Sequence, residues 1–366
     1  MTAPGVEGLL GSELKALGIV VKEKTPGGVS FAGTTEHLQR VNLRSRLANR
    51  VLVRLAEFHA STFHELERRA KRVAWSRFVT EGDPARFRVT CRKSKLYHSD
   101  AVAERLLKIS GGISGGAVAD ENDEGEEDAG SAQLFVVRIV HDVCTISVDS
   151  SGELLHRRGY RQAIAKAPLR ETLAAAMLAA IEWDGAEPIV DPMCGSGTIA
   201  IEAAMMARNI APGLRRTFAF EKWPEHDAAL WQRLKSEAAE RVIPSAPGPI
   251  VASDRDAGAV EAAKANAERA GVPGDIEISV SAISDATYPQ PPGWIVSNPP
   301  YGVRVGESGR LRNLYSQIGR IIREGVPGYR LALLTADREL EGQLKLGLEV
   351  GFESTNGGIP VRLVVG

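Results

Sequence analysis

The second half of this chain predicts an α/β domain built on a doubly wound, mostly parallel sheet of the Rossmann type; the first half predicts a smaller α+β region. From Leu169 onward, short apolar runs alternate with helix-forming stretches, as strands joined by crossover helices do. Two of those runs lead to an acid, Asp191 and Asp254, and a helical segment follows each. A third leads to Asn298-Pro-Pro-Tyr301. With 366 residues there is chain enough for two domains, 1–155 and 156–366.

Taken in order, Leu9, Leu10, Leu14 and Leu17 share one helical face, Gly18 ends that helix, and Gly27-Gly28 turn between strands. Val41–Arg50 and Arg68–Arg72 read as basic helical stripes. Residues 86–93 alternate like a strand, with Arg86, Arg88, Arg92 and Lys93 basic, and Lys95, Tyr97 and His98 follow. A charged stripe is ordinarily a solvated face. Here cations recur on successive elements and interleave with aromatic rings, which predicts an RNA-binding surface. Residues 111–132 break the pattern with glycines, serines and the acidic run Asp120–Asp128, the composition of a disordered insertion. That run also hides the basic region within a net charge of −1. Leu134–Val140 and Cys144–Val148 read as strands paired around a His141-Asp142 turn, and Gly152–Arg161 as the crossing between domains.

An Ala-rich helix over Leu169–Ile181 leads into the apolar run Pro188–Val190, with Asp191 at its end. Cys194-Gly195-Ser196-Gly197 then gives a tight turn, and Thr198 opens a helix whose free N–H groups suit a carboxylate. Pro249–Ala252 forms a second strand leading to Asp254 and Arg255, where an acid can accept from ribose hydroxyls. A glycine loop alone is weak evidence, but Asp254 in register makes it a nucleotide site. The loop lacks the longer glycine pattern of nicotinamide proteins and any phosphate-binding lysine, which points to a nucleoside cofactor without phosphates.

Trp294–Ser297 is a third strand, and Asn298, Pro299, Pro300 and Tyr301 sit at its carboxyl end. The prolines stiffen the backbone so that the Asn298 amide and the Pro299 carbonyl can aim one way. An aromatic amine is a poor nucleophile because its lone pair is delocalised. Two acceptors on its N–H groups would hold it in line with an electrophilic methyl, and Tyr301 would stack on the base. Loop and clamp together predict methyl transfer from S-adenosylmethionine to an exocyclic amine. Cys194 reads as a packing residue within the loop. Late strands follow at Tyr329–Thr335 and Val361–Val365.

With these motifs in place, the chain resembles the RNA guanine-N2 methyltransferases that carry an N-terminal THUMP domain, a family of tRNA and large-subunit rRNA enzymes. The resemblance also rests on Pro4–Gly8, Ser94–His98, Ser151–Arg161, Ala167–Arg170, Asn313–Tyr315 and Asn356–Gly358. It implies a class I methyltransferase fold behind a ferredoxin-like and THUMP region. It further implies S-adenosylmethionine as donor and guanosine N2 in structured RNA as acceptor. His156–Arg161 leans toward the rRNA branch. Members carry an acid before the clamp, near the adenine; here Ala282 holds that place and Asp285 lies three residues on.

The clamp recognises a planar amine, so adenine N6 and a protein glutamine amide are rival acceptors, and a non-catalytic RNA-binding assembly factor is a rival of another class. Cys91, Cys144 and Cys194 make no disulfide or zinc pattern, and the seven histidines lack ligand spacing. No metal or strong general base is expected. With no signal peptide and no apolar stretch near the ~20 residues of a membrane span, a cytoplasmic protein is expected.

Overall fold

A computed structural model of the chain describes residues 1–114, 132–162, 169–301 and 308–366. The acidic run expected as an insertion, Asp120–Asp128, lies outside the described residues.

The chain divides into two compact units, and not by a single cut at 155/156. One comprises Met1–Asn49, His156–Arg216 and Leu234–Gly366; the other comprises Arg50–Leu155 and Thr217–Arg233. A cut falls before His156, but the first 49 residues belong with the C-terminal part. Buried charge explains that attachment. Arg46 donates through Nη2 to the carbonyls of Met205 (3.1 Å) and Ile210 (2.7 Å), and burial lowers its pKa to about 10. Arg158 donates to the Arg46 carbonyl at 2.6 Å and pairs with the fully buried Glu202 at 3.3 Å. The Tyr160 hydroxyl donates to the same carboxylate at 3.2 Å. The stripe Val41–Arg50 is therefore not the exposed RNA-facing helix expected. The helix Thr35–Arg44 stops at Ser45, Arg46 points inward, and in the second unit Arg50 pairs with buried Asp149.

In the first unit a seven-stranded sheet runs in the order Glu277–Val280, Ile250–Asp254, Ile189–Asp191, Gly293–Ser297, Tyr329–Thr335, Ile359–Val365, Glu349–Asn356. Neighbours are parallel except at Ile359–Val365, which runs antiparallel to both of its partners. The central strands are almost wholly buried, which is why they read as continuous apolar runs. The edge strand Glu349–Asn356 is mostly exposed on one face and carried no such signal. Strand order reverses between Ile189–Asp191 and Gly293–Ser297, and an open α/β sheet binds its ligand at the carboxyl ends beside such a reversal.

The first 49 residues form the helices Glu7–Ala16 and Thr35–Arg44 around the hairpin Val21–Thr25 and Gly28–Phe31. Gly5, in the motif Pro4–Gly8, has φ +85° and lies so close to Glu353 that a Cβ would meet its carbonyl oxygen at 1.7 Å. Only glycine fits there.

The second unit holds a five-stranded sheet in the order Leu52–His59, Val143–Asp149, Gln133–Val140, Pro84–Arg92, Ile113–Ser114. His141 (φ 52°) and Asp142 (φ 62°) make the expected hairpin turn. Helices Phe63–Ala70 and Ser99–Ser110 bury Leu66, Ala70, Val102 and Leu106 in one core with Phe87, Phe135 and Ile139. Among the described residues no helix is long and apolar enough to cross a membrane.

Candidate active site

The loop and the clamp meet at the reversal point of the sheet. Asp191 ends its strand at 3% exposure, one position beyond the Val190–Ile295 pair. Its Oδ1 accepts from the Ser297 hydroxyl at 2.7 Å and from the Met193 N–H at 3.3 Å. Burial pushes this carboxyl up to about 7; the two hydrogen bonds pull it down, and nearby Asp254 pushes it up again.

Two bonds clip the glycine loop to the next strand. The Gly195 N–H donates to Asp254 Oδ2 at 3.0 Å, and the Cys194 N–H to the Ser253 carbonyl at 2.9 Å. Asp254 Oδ1 accepts from the Asp256 N–H at 2.9 Å, and Asp256 caps the following helix, Ala257–Ala270. Deeper in that helix Asn266, fully buried, donates to the Ser196 carbonyl at 2.9 Å. Gly197 stands at φ +83° with the Cβ of Ala263 only 3.0 Å from where its own would lie, so helix 198–207 and helix 257–270 touch through it. Thr198, 5% exposed, opens its helix behind the loop. The Cys194 thiol is raised by burial and by Asp191 and Asp254, which keeps it neutral and suits a packing role.

These residues fit S-adenosylmethionine. Gly195 has φ +53° and nothing within 4 Å of its missing Cβ, so a ligand can approach the backbone closely there. The free N–H groups of the helix starting at Thr198 suit a carboxylate, and the half-buried Asp254 suits ribose hydroxyls. Arg255 is exposed. Asp285 is exposed too, in the short turn Ile283–Asp285, and its carboxylate accepts from the neighbouring Ser284 at 3.1 Å. That turn is tied to the acid strand, since the Ser281 N–H donates to the Asp254 carbonyl at 3.0 Å.

Asn298 follows Ser297 directly and is half-buried; Pro299 is buried and Pro300 exposed. Among the described residues, the Asn298 Oδ1 is buried and meets no hydrogen-bond donor. The Tyr301 hydroxyl accepts from Asn356 Nδ2 at 3.1 Å, and burial raises the phenol's pKa, so the ring stays uncharged. Sequence reasoning did not give Ser297, Asn266 or Asn356 a role. Asn356 was visible only as part of Asn356–Gly358, and its partner lies 55 residues away.

In the second unit, Arg92, Lys93, Lys95, Tyr97 and His98 are all exposed along the loop between strand Pro84–Arg92 and helix Ser99–Ser110. The Tyr97 and His98 rings lie 4.1 Å apart, and Tyr97 is 68% exposed. Asp142 pins the loop by accepting from the Lys95 N–H at 2.7 Å. Arg86 and Arg88, in the strand itself, are half-buried and hold interactions of their own.

A seven-stranded sheet in this order, with a glycine loop after its first strand and an acid after its second, defines a class I methyltransferase fold. Comparison makes this specific. Residues 158–362 match the RMKL-like methyltransferase domain, and residues 1–52 the RlmL ferredoxin-like domain. The chain belongs to the RMKL-like methyltransferase family. A Synechocystis protein, slr0064, provisionally named an RNA methyltransferase, is 33% identical over 99% of this chain and 94% of its own length. The ribosomal RNA large subunit methyltransferase K/L of Psychromonas ingrahamii is 37% identical over all of this chain, which spans 49% of that relative. SMU.472, provisionally named a methyltransferase and solved with SAH, superposes with TM-score 0.85 at 30% identity, over 100% of this chain and 96% of its own. The cofactor of this chain is S-adenosylmethionine.

Proposed function

We propose that this chain methylates the exocyclic N2 of a guanosine in structured RNA, with large-subunit rRNA favoured over tRNA, in the cytoplasm. The observation that carries this reading is the orphaned Asn298 Oδ1, one residue from the Ser297–Asp191 bond. A buried oxygen without a donor costs about 1–3 kcal/mol, a cost that a substrate N–H would remove. The names of the K/L relatives and of slr0064 support an RNA acceptor. So does the exposed loop of Arg92, Lys93, Lys95, Tyr97 and His98, in a unit that we take to be the RNA-binding, THUMP-containing part.

S-adenosylmethionine supplies a methyl carbon made electrophilic by the sulfonium. Asn298 and the Pro299 carbonyl hold the amine, Tyr301 stacks on its base, and Asp191, Asp254 and the 194–198 loop orient the donor. As the N–C bond forms the C–S bond breaks, and the extra proton leaves the nitrogen for water. The protein contributes position and electrostatics.

The test is to incubate rRNA and tRNA with the full chain and labelled S-adenosylmethionine, then digest to nucleosides and identify the product by mass. N2-methylguanosine is expected. N6-methyladenosine alone would mean an adenine enzyme, and label only in protein glutamine an amide methyltransferase. No donor binding in calorimetry would mean an assembly factor.

A further inference from the structure

We propose that Asn356 selects guanine over other bases bearing an exocyclic amine: its Oδ1 accepts the N1–H of the base while its Nδ2 holds Tyr301. This rests on the guanine-N2 reading and deepens it. Asn356 is 1% exposed at the end of strand Glu349–Asn356, where Gly357 and Gly358, both at positive φ, turn the chain back. Its Nδ2 is committed to the Tyr301 hydroxyl at 3.1 Å. Its Oδ1 is buried and meets no donor among the described residues.

The clamp therefore carries two orphaned carboxamide oxygens. Asn298 Oδ1 lies three residues before Tyr301 in the chain, and Asn356 Oδ1 belongs to the amide bonded to its hydroxyl. A single base edge that met both acceptors would have to bring two donors. Guanine presents adjacent donors there, the N2 amine and N1–H. Adenine and cytosine present an amine beside a ring nitrogen that carries a lone pair. Against Asn356 Oδ1 that lone pair would face another, and both would be desolvated without a bond. A site built to receive a donor rejects an analogue lacking it far more strongly than an apolar pocket rejects a change of size.

The probe is RNA carrying 2,6-diaminopurine in place of the target guanine, which keeps the N2 amine but has a lone pair at N1. With the full chain, kcat/KM should fall about a hundredfold or more on the diaminopurine RNA. Asn356→Ala should shrink that ratio to within about tenfold by losing activity on guanine, and Asn356→Asp, which keeps an acceptor, should preserve it. Tyr301→Phe keeps the stacking ring but removes the hydroxyl that holds Nδ2, so the Asn356 carboxamide can turn and the ratio should narrow in the same direction as with Asn356→Ala. Equal methylation of the two RNAs by the unaltered chain overturns the proposal, as does an Asn356→Ala protein that folds and keeps the full ratio. Either result leaves the amine clamp standing; wild-type turnover by Asn298→Ala would instead remove the clamp.

Discussion

The hydroxyl of Ser297 donates to Asp191 Oδ1 across neighbouring strands, 106 residues apart in sequence and 2.7 Å in space. This bond joins the two halves of the candidate site: Asp191 precedes the 194–198 loop proposed to hold the donor, and Asn298 follows Ser297. Burial raises the Asp191 carboxyl from 3.8 to about 7, so the folded chain holds an extra proton in that window and loses stability as pH rises through it. Ser297 opposes that rise by favouring the ionised form. Ser297→Ala should therefore cost about 1.5–3 kcal/mol above pH 7, where Asp191 is charged, and less as pH falls. Thermal melts of both proteins between about pH 5 and pH 9 measure the gap. A gap independent of pH would show that the bond does not tune Asp191.

Asp254 Oδ2 holds the Gly195 N–H, and the proposed site gives the same carboxylate the ribose of the donor. Asp254→Ala should weaken S-adenosylmethionine binding about tenfold or more in calorimetry, with the fold kept. Unchanged affinity would refute the assignment.

Asn298 should govern turnover and leave donor binding alone. Asn298→Ala should slow single-turnover methylation by roughly a hundredfold or more while calorimetric binding of S-adenosylmethionine stays at its wild-type value. If donor affinity drops in parallel, the residue is structural to the loop and does not act on the amine.

The exposed cations and the buried one make opposite predictions. Arg92, Lys93 and Lys95 are all exposed, and Arg92 also holds an interaction of its own, so changing the three to Ala should lower the melting temperature only slightly. RNA affinity should fall, and with it the slope of log affinity against log salt, by up to about one unit for each phosphate no longer neutralised. Arg46→Gln should do the reverse: it removes bonds to the Met205 and Ile210 carbonyls and lowers the melting temperature while the salt slope holds. Equal salt slopes for the triple variant and the unaltered chain would exclude the loop as an RNA anchor.

Much of the seven-stranded sheet and of the turn at 194–197 was legible residue by residue. Ile189–Asp191, Gly293–Ser297 and, apart from exposed Arg330, Tyr329–Thr335 are buried on both faces, so each reads as a largely apolar run, and the turns and acids after them are their neighbours in the chain. The hairpin turn at His141 and Asp142 is local in the same way. Other features depend on partners far off in sequence. The spacing of Arg44, Arg46 and Arg50 is that of a solvated basic stripe, and nothing nearby tells that Arg46 turns inward to carbonyls 159 and 164 residues on. For the same reason the first 49 residues looked continuous with the basic region after them, although their buried bonds run to helix 198–207 and to Arg158. Asn356 enters the proposed site only because the last hairpin folds back and brings its amide to Tyr301. Periodicity and turn chemistry are written in neighbouring residues, so they survive in one dimension. Which polar atom finds a partner, and which is buried without one, depends on chain closure between distant segments, and that is decided when the sheet assembles.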